Sequence, residues 1–207
     1  MLFLKEDKSP LDAVIFDVGN VLLDYDPRRF MAELGIASKY WDRLTEIFPE
    51  SEEWKLLDND LMSDEEFLSS ALRKEPGLRR EIKLYHKHWY EHFDAIPKNV
   101  AAFYQIKEAG IKTYILSNLQ KSCFRYVSAH NIFFDDFDGR IFSFENHVRK
   151  PAPEIYDLII SRYKLDPARS VFFDDMEANI LAAQKAGMKT VYFPIGGNVL
   201  DYLIMED

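Results

Sequence analysis

The chain has 207 residues and a formal net charge of −9 at pH 7, which disfavours nucleic acid as a partner because phosphate contacts need clustered lysine and arginine. Apolar residues make up 47% and charged residues 29%, a composition typical of one globular domain with or without an insertion. Cys123 is the only cysteine, and neither a signal peptide nor an apolar stretch of about 20 residues is found, so we expect a cytoplasmic protein without disulfides or a membrane partner. The sequence is silent on oligomeric state.

Short apolar, β-branched segments recur along the chain and predict strands. They are AVIF (13–16), KTYILS (112–117), GRIFS (139–143), SVFF (170–173) and TVYF (190–193). Helical patterns separate the later segments, at 97–110, 151–164 and 178–187. Strands that alternate with helices of this length predict βαβ units, and therefore an α/β fold with a mostly parallel, Rossmann-like sheet.

Residues 24–96, between the first two predicted strands, have a different character. This stretch is rich in aromatic residues and lacks a strand signal. The segment EEFLSSAL has helical periodicity, and Ser63 and Glu66 form a capping box at its start. A connection of this length is too long for a simple βα loop. We therefore expect a helical cap over residues 24–96, inserted into an α/β core formed by residues 1–23 and 97–207.

Polar residues follow four of the predicted strands, at the sheet edge where open parallel sheets bind their ligands. In chain order they are Asp17, Ser117, Asn118, Lys150, Asp174 and Asp175. Taken singly, the serine, the asparagine and the paired aspartates could cap helices, and the lysine could be a solvated surface residue. Asp17 is the hardest to explain in this way, because a carboxylate directly after a buried strand must find a partner or change its pKa.

The motifs DVGNV, LSN, RKPAPEIY and FFDDMEANI occur in this order and resemble the four signature motifs of the haloacid dehalogenase superfamily. FDVGNVLLDYD together with FFDDMEANI is most similar to bacterial sugar-phosphate phosphatases that act on glucose 1-phosphate. The paired aspartates are also similar to the phosphatase domain of soluble epoxide hydrolases. The resemblance implies a Mg²⁺-dependent phosphatase that hydrolyses a small phosphate ester, such as glucose 1-phosphate, through an aspartyl-phosphate intermediate.

The resemblance also implies a role for each polar residue. Asp17 would be the nucleophile, ionised at neutral pH with an ordinary pKa of about 3.9. Asp17, the backbone carbonyl of Gly19 and Asp175 would hold Mg²⁺, an ion that suits all-oxygen sites. Lys150 would act in catalysis and contact the phosphate, with Asp174 behind the metal ligands. The charges of the ion and the lysine then balance those of the three carboxylates, so that a phosphate can enter.

Ser117 and the amide of Asn118 would hold phosphate oxygens near the start of a helix, where N–H groups are free. Gly19 departs from the family pattern, because most of these phosphatases have an aspartate there that protonates the leaving group. We expect that Asp24 or a residue of the cap replaces this acid, or that the substrate has an easier leaving group, as a sugar 1-phosphate does.

Other functions stay open at this point. Hydrolytic dehalogenation of a 2-haloacid would use Asp17 against carbon, but it requires no metal and leaves Asp174 and Asp175 unexplained. Non-catalytic binding of phosphate esters is kept open by Gly19. The basic and aromatic stretch 78–93 predicts a solvated helix face over core aromatics. The alternative is that some of its basic residues draw an anionic substrate to the site, and these residues are Arg79, Arg80, His86 and His88.

Overall fold

In the computed structural model, which describes residues 1–206, the chain forms two β-sheets and a set of α-helices. The strands are β1 (Leu2–Leu4), β2 (Pro10–Leu11), β3 (Ala13–Phe16), β4 (Lys112–Ser117), β5 (Gly139–Phe142), β6 (Ser170–Asp174), β7 (Lys189–Tyr192) and β8 (Leu203–Met205). The α-helices are α1 (Pro27–Glu33), α2 (Trp41–Ile47), α3 (Glu52–Asp58), α4 (Asp64–Lys74), α5 (Arg79–His88), α6 (Pro97–Glu108), α7 (Lys121–His130), α8 (Ser143–Asn146), α9 (Pro153–Tyr163) and α10 (Glu177–Lys185). The predicted α/β fold is confirmed.

The larger sheet is parallel and has the strand order β5-β4-β3-β6-β7. Each of its strands lies within one residue of the segment predicted from the sequence. Every residue of β3 and β6 is buried, as expected for central strands that helices cover on both faces. After β3 the chain moves to one side of the sheet, and after β6 it moves to the other. The carboxyl ends of these two neighbouring strands therefore border a crevice in which such sheets bind ligands.

The smaller sheet is antiparallel and was not predicted. Its order is β2-β1-β8, so residues 2–4 pair with residues 10–11 on one side and with residues 203–205 on the other. Strands of two or three residues are too short to show an alternating hydrophobic pattern, so they cannot be recognised from the sequence. Among the described residues, none of the helices has the length and hydropathy that crossing a bilayer requires.

Helices α1 to α5 all lie between β3 and β4, and the described chain has no strand there. The predicted capping box begins α4: the Glu66 N–H donates to the Ser63 hydroxyl at 3.2 Å, and the Glu66 carboxylate accepts from the Ser63 N–H at 2.9 Å. The two segments that connect these helices to the sheet run side by side, with Asp24 donating to Asp94 and Ile96 donating to Leu22 through backbone groups, both at 2.8 Å. The division into core and cap stays a prediction, and this paired connection lies at its proposed boundaries.

Candidate active site

A cavity of about 500 Å³ lies at the carboxyl ends of β3, β4 and β6. Its lining includes residues that follow these strands and residues of the helical segment. The predicted site residues that line the cavity are Asp17, Gly19, Ser117, Asn118, Lys150 and Asp175. Polar residues from four separate segments of the chain thus meet in one place, although their roles stay predictions.

Lys150 is buried, and its ammonium group lies between two carboxylates. Its Nζ is 2.8 Å from Oδ1 of Asp17 and 2.6 Å from Oδ2 of Asp174. Only 1% of the Lys150 side chain is exposed, so the charge depends on these two partners. Burial lowers the pKa of Lys150, but Asp17 and Asp174 outweigh it and raise the pKa above its ordinary value.

Asn118 holds the backbone of Lys150 with its side chain. Its Oδ1 accepts from the Lys150 N–H at 2.8 Å, and its Nδ2 donates to the Lys150 carbonyl at 3.0 Å. The side-chain amide of Asn118 is therefore committed, and its backbone amide is the group available for a phosphate oxygen. Ser117 is buried at the end of β4, and its side chain makes no hydrogen bond to Lys150.

The three aspartates differ in how their oxygens are occupied. Asp174 is fully engaged: Oδ1 accepts from the Met176 N–H at 2.8 Å and from Asn179 Nδ2 at 2.9 Å, and Oδ2 accepts from the buried ammonium group. Within residues 1–206, Oδ2 of Asp17 and Oδ1 of Asp175 accept no hydrogen bond from another residue. These two carboxylates therefore each have an oxygen that could bind a ligand, whereas protein donors occupy both oxygens of Asp174.

This donor set fits a small hard cation. One carboxylate oxygen from each of Asp17, Asp174 and Asp175 lies within 4.8 Å of the other two. Carboxylate and carbonyl oxygens are the ligands that Mg²⁺ prefers, and it commonly binds through one or two carboxylates. The residues present thus fit the implied ion, with Asp17 and Asp175 as the carboxylate ligands.

Burial disfavours the charged forms of the carboxylates that would bind the cation. Burial raises the pKa of Asp17, an effect that the ammonium group of Lys150 opposes. Burial likewise raises the pKa of Asp175, which Asn20 opposes through a hydrogen bond. The sequence-based expectation of an ordinary pKa for Asp17 is wrong, because the sequence does not reveal how deeply this carboxylate is buried. A nearby divalent cation would favour the charged forms of both groups.

Asn20 connects the loop after β3 to Asp175 and is not among the residues predicted from the sequence. Its Nδ2 donates to Oδ2 of Asp175 at 2.7 Å, and its Oδ1 accepts from the Tyr25 N–H at 3.0 Å. Its backbone φ of +57° is in the left-handed region, which asparagine tolerates better than most residues. The Gly-Asn pair at residues 19–20, in the loop just after a predicted strand, was the signal that could have found it.

Asp24 is not placed to replace the acid that is absent at Gly19, which leaves a residue of the cap or an easier leaving group among the alternatives given above. Its Oδ2 lies 3.1 Å from Arg29, and Asp24 does not line the cavity. A β-carbon at Gly19 would meet only the β-carbon of Tyr25, at an ordinary 3.8 Å. The glycine is therefore not required by steric crowding.

The cavity also has an aromatic wall. Four aromatic side chains of the helical segment line it: Tyr25, Trp54, Trp89 and Phe93. They form a contiguous group, because the ring centroids of neighbouring members lie 4.9 to 5.6 Å apart. The basic residues of the stretch 78–88 do not line the cavity, which favours the interpretation of that stretch as a helix with a solvated face.

Comparison with known proteins places these features in a family. A family model described as haloacid dehalogenase-like hydrolase matches residues 11–187. A phosphorylated carbohydrates phosphatase of Thermotoga maritima is 26% identical over 204 residues, which cover 88% of this chain and 84% of the relative. A sesquiterpene phosphatase of Aspergillus oryzae is 25% identical over 184 residues, covering 85% of this chain and 86% of the relative. A HAD family enzyme of Bacteroides thetaiotaomicron, solved in complex with magnesium and inorganic phosphate, has the same fold: its TM-score is 0.75 at 21% identity, over 91% of this chain and 97% of that one.

Proposed function

Because the chain belongs to the haloacid dehalogenase-like hydrolase family, as its motifs suggested, we propose that it is a Mg²⁺-dependent phosphatase of small phosphate esters, with sugar phosphates as substrates. One observation carries this proposal. A buried ammonium group lies between Asp17 and Asp174 and offsets part of their negative charge, while Asp17 and Asp175 each keep a carboxylate oxygen that no residue of the described chain occupies. This arrangement suits a phosphoryl group better than an uncharged substrate, because a phosphoryl group needs positive charge next to its nucleophile.

The proposed reaction has two steps, both centred on Asp17. A carboxylate oxygen of Asp17 attacks phosphorus, the bond between phosphorus and the leaving-group oxygen breaks, and the departing alkoxide takes a proton from water. A second water then attacks the phosphorus of the aspartyl-phosphate, which releases inorganic phosphate and a proton and restores the carboxylate. The enzyme ends in its starting state, and the net reaction is hydrolysis.

The other polar residues would make this attack electrostatically possible. Two unit charges 4 Å apart repel by about 4 kcal/mol at an effective dielectric constant of 20, and a phosphate dianion roughly doubles this cost. Lys150 would offset part of it, held in place by Asp174 and by the side chain of Asn118. Ser117 and the backbone N–H of Asn118 would hold the phosphate oxygens.

Asp17, Asp175 and the backbone carbonyl of Gly19 would hold Mg²⁺. When bound, the ion supplies positive charge that polarises the phosphoryl group and orients it. The free oxygens of the two carboxylates support this assignment, and the magnesium reported with the Bacteroides thetaiotaomicron enzyme is in keeping with it. Asn20 would orient Asp175 through its 2.7 Å hydrogen bond.

Two observations support a sugar phosphate as the substrate. The Thermotoga maritima relative is named as a phosphatase of phosphorylated carbohydrates. Gly19 provides no side-chain acid, which favours an ester with an acidic leaving group, and the anomeric hydroxyl of a sugar 1-phosphate is more acidic than a simple alcohol. We therefore put glucose 1-phosphate first among the candidates.

A phosphate-release screen tests the proposal. Wild type and Asp17→Asn are assayed with sugar phosphates, nucleotides and aryl phosphates, in Mg²⁺ and again in excess EDTA. We expect release by the wild type in Mg²⁺ only, with sugar phosphates among the best substrates, and none by the variant. Undiminished release by Asp17→Asn, or by the wild type in EDTA, would refute the mechanism. Tight binding of esters without release would point to a non-catalytic protein.

A further inference from the structure

A second polar cluster lines the cavity, apart from the residues assigned to the phosphoryl group. Asp58 ends α3, Gln120 directly precedes α7, and Arg149 is the neighbour of Lys150. One member comes from the helical segment and two come from the loops that follow strands of the larger sheet. The proposed reaction gives none of them a role.

Gln120 is the most telling member, because it is a buried polar side chain that makes no hydrogen bond of ordinary length. It is 2% exposed, and neither its Oε1 nor its Nε2 has a hydrogen-bond partner within 3.5 Å among residues 1–206, although its amide lies near enough to Asp58 to lower the pKa of that carboxyl, which burial raises. It occupies the N-cap position of α7, but its side chain does not cap the helix. Since a buried amide normally has hydrogen-bond partners, and this one lines a cavity, its partners are expected to come from the cavity's occupant.

Asp58 and Arg149 complete the cluster as a balanced pair of charges. A terminal guanidinium nitrogen of Arg149 lies 3.4 Å from Oδ2 of Asp58, and the Asp58 residue is 6% exposed. The guanidinium Nε has no partner within residues 1–206 either. The cluster thus presents donors from the arginine, acceptors from the aspartate and both kinds of group from Gln120, with no net charge.

We propose that Asp58, Gln120 and Arg149 form a subsite for the leaving group, and that this leaving group is a neutral, polyhydroxylated alcohol. This inference rests on the proposed phosphatase function and adds the residues that select the substrate. Hydroxyl groups both donate and accept, which matches the mixed character of the cluster. The carboxylate of Asp58 would repel a second anionic group on the substrate, whereas it would not repel a neutral hydroxyl group.

The rest of the cavity agrees with this assignment. The aromatic wall defined above offers apolar ring faces, against which the C–H faces of a sugar can pack. A purely apolar alcohol, such as a terpene alcohol, would satisfy that wall but leave the buried amide of Gln120 unpartnered. A site with polar groups of this kind rejects analogues that lack the matching hydroxyl groups.

The test compares two esters that release primary alcohols of the same carbon number, glucose 6-phosphate and hexyl phosphate. Because their leaving groups have similar chemistry, the ratio of their kcat/KM values reports recognition of the hydroxyl groups. The wild type is expected to prefer glucose 6-phosphate. Gln120→Met keeps the size of the side chain and removes its polar atoms, so the ratio should fall roughly tenfold or more. Asp58→Asn should also lower the ratio.

Gln105→Met is the matched control, because Gln105 is exposed on α6 and lies outside the cavity. It should leave the ratio as in the wild type. Thermal unfolding of each variant shows whether it is folded, and the ratio is unaffected by the fraction of active protein.

Three results would overturn the inference. If the ratio of the two kcat/KM values is unchanged in both Gln120→Met and Asp58→Asn, the cluster does not recognise the hydroxyl groups of the substrate. A wild-type preference for hexyl phosphate, with hydrolysis still abolished by Asp17→Asn, would overturn the subsite and leave the proposed phosphatase function intact. No hydrolysis of any ester in Mg²⁺ would overturn the proposed function and this inference with it.

Discussion

Replacing Lys150 with methionine tests the electrostatic centre of the site. The substitution keeps a long side chain but removes the charge that lies 2.8 Å from Asp17 and 2.6 Å from Asp174. At an effective dielectric constant of 20, each of these contacts is worth about 6 kcal/mol of Coulomb energy before desolvation is subtracted. Removing one partner of a buried ion pair costs about 3–5 kcal/mol in practice, because it leaves an uncompensated charge.

The loss should depend on pH in a defined direction. Without the ammonium group, the pKa of Asp17 rises further, so the folded variant binds a proton that the unfolded chain has already released. A group with a raised pKa in the folded state lowers the free energy of unfolding as pH rises from its unfolded pKa to its folded one. The penalty should therefore be small near pH 4 and should approach its full size, about 3–5 kcal/mol, at pH 8.

Urea unfolding at pH 5 and pH 8, in EDTA so that no divalent cation compensates, measures this free energy directly. Lys83→Met is the control, since Lys83 is exposed on α5 and makes no ion pair within the described chain. It should change the free energy of unfolding by less than about 0.5 kcal/mol at either pH. A loss below about 1 kcal/mol for Lys150→Met at pH 8 would show that the lysine is not held between two charged carboxylates, and the account of the site would be wrong.

The other predictions concern the remaining carboxylates and the glycine. Asp175→Asn should raise the Mg²⁺ concentration needed for half-maximal activity roughly tenfold or more, which is a larger rise than Asp174→Asn should cause. Asp174→Asn should instead cause the larger loss of stability. The reverse order in the two measurements would contradict the assigned ligands. Gly19→Asp introduces a carboxyl group where a β-carbon has room, and it should accelerate hydrolysis of alkyl phosphates roughly tenfold or more, with a smaller effect on aryl phosphates; equal effects would argue against a role in proton transfer. Burial raises the pKa of Asp58 to about 6, so the free energy of unfolding should fall by on the order of 2–3 kcal/mol as pH rises from about 4 to 7, and Asp58→Asn should remove this slope in a denaturation series.

The strands of the larger sheet could be predicted because each is a short buried run that follows a clear break in the helical pattern. AVIF at residues 13–16, for example, is β3 at the same residues. The smaller sheet could not be predicted, because its strands are too short for periodicity and one of its two pairings, between β1 and β8, joins residues far apart in the chain.

The residues that meet in the cavity could be predicted from their positions at strand ends, but their contacts could not. The order of motifs indicates that Lys150 and Asp174 converge, yet nothing in it shows that the side chain of Asn118 is spent on the backbone of Lys150. Asp24 was a reasonable candidate acid by sequence distance, but its carboxylate turns to Arg29. Such directions depend on the tertiary packing of the loops, which a single sequence does not specify.

The central claim is that Asp17 attacks phosphorus, and trapping the covalent intermediate tests it most directly. Wild type is mixed with its best phosphate ester in Mg²⁺, quenched during turnover and treated with borohydride, which reduces an aspartyl-phosphate to homoserine. Peptide mass spectrometry then reads the modified position, with Asp17→Asn as the parallel sample. The account predicts homoserine at position 17 in the wild type and no phosphate release by the variant. Phosphate release by Asp17→Asn at the wild-type rate, or reduction at another residue, would contradict it.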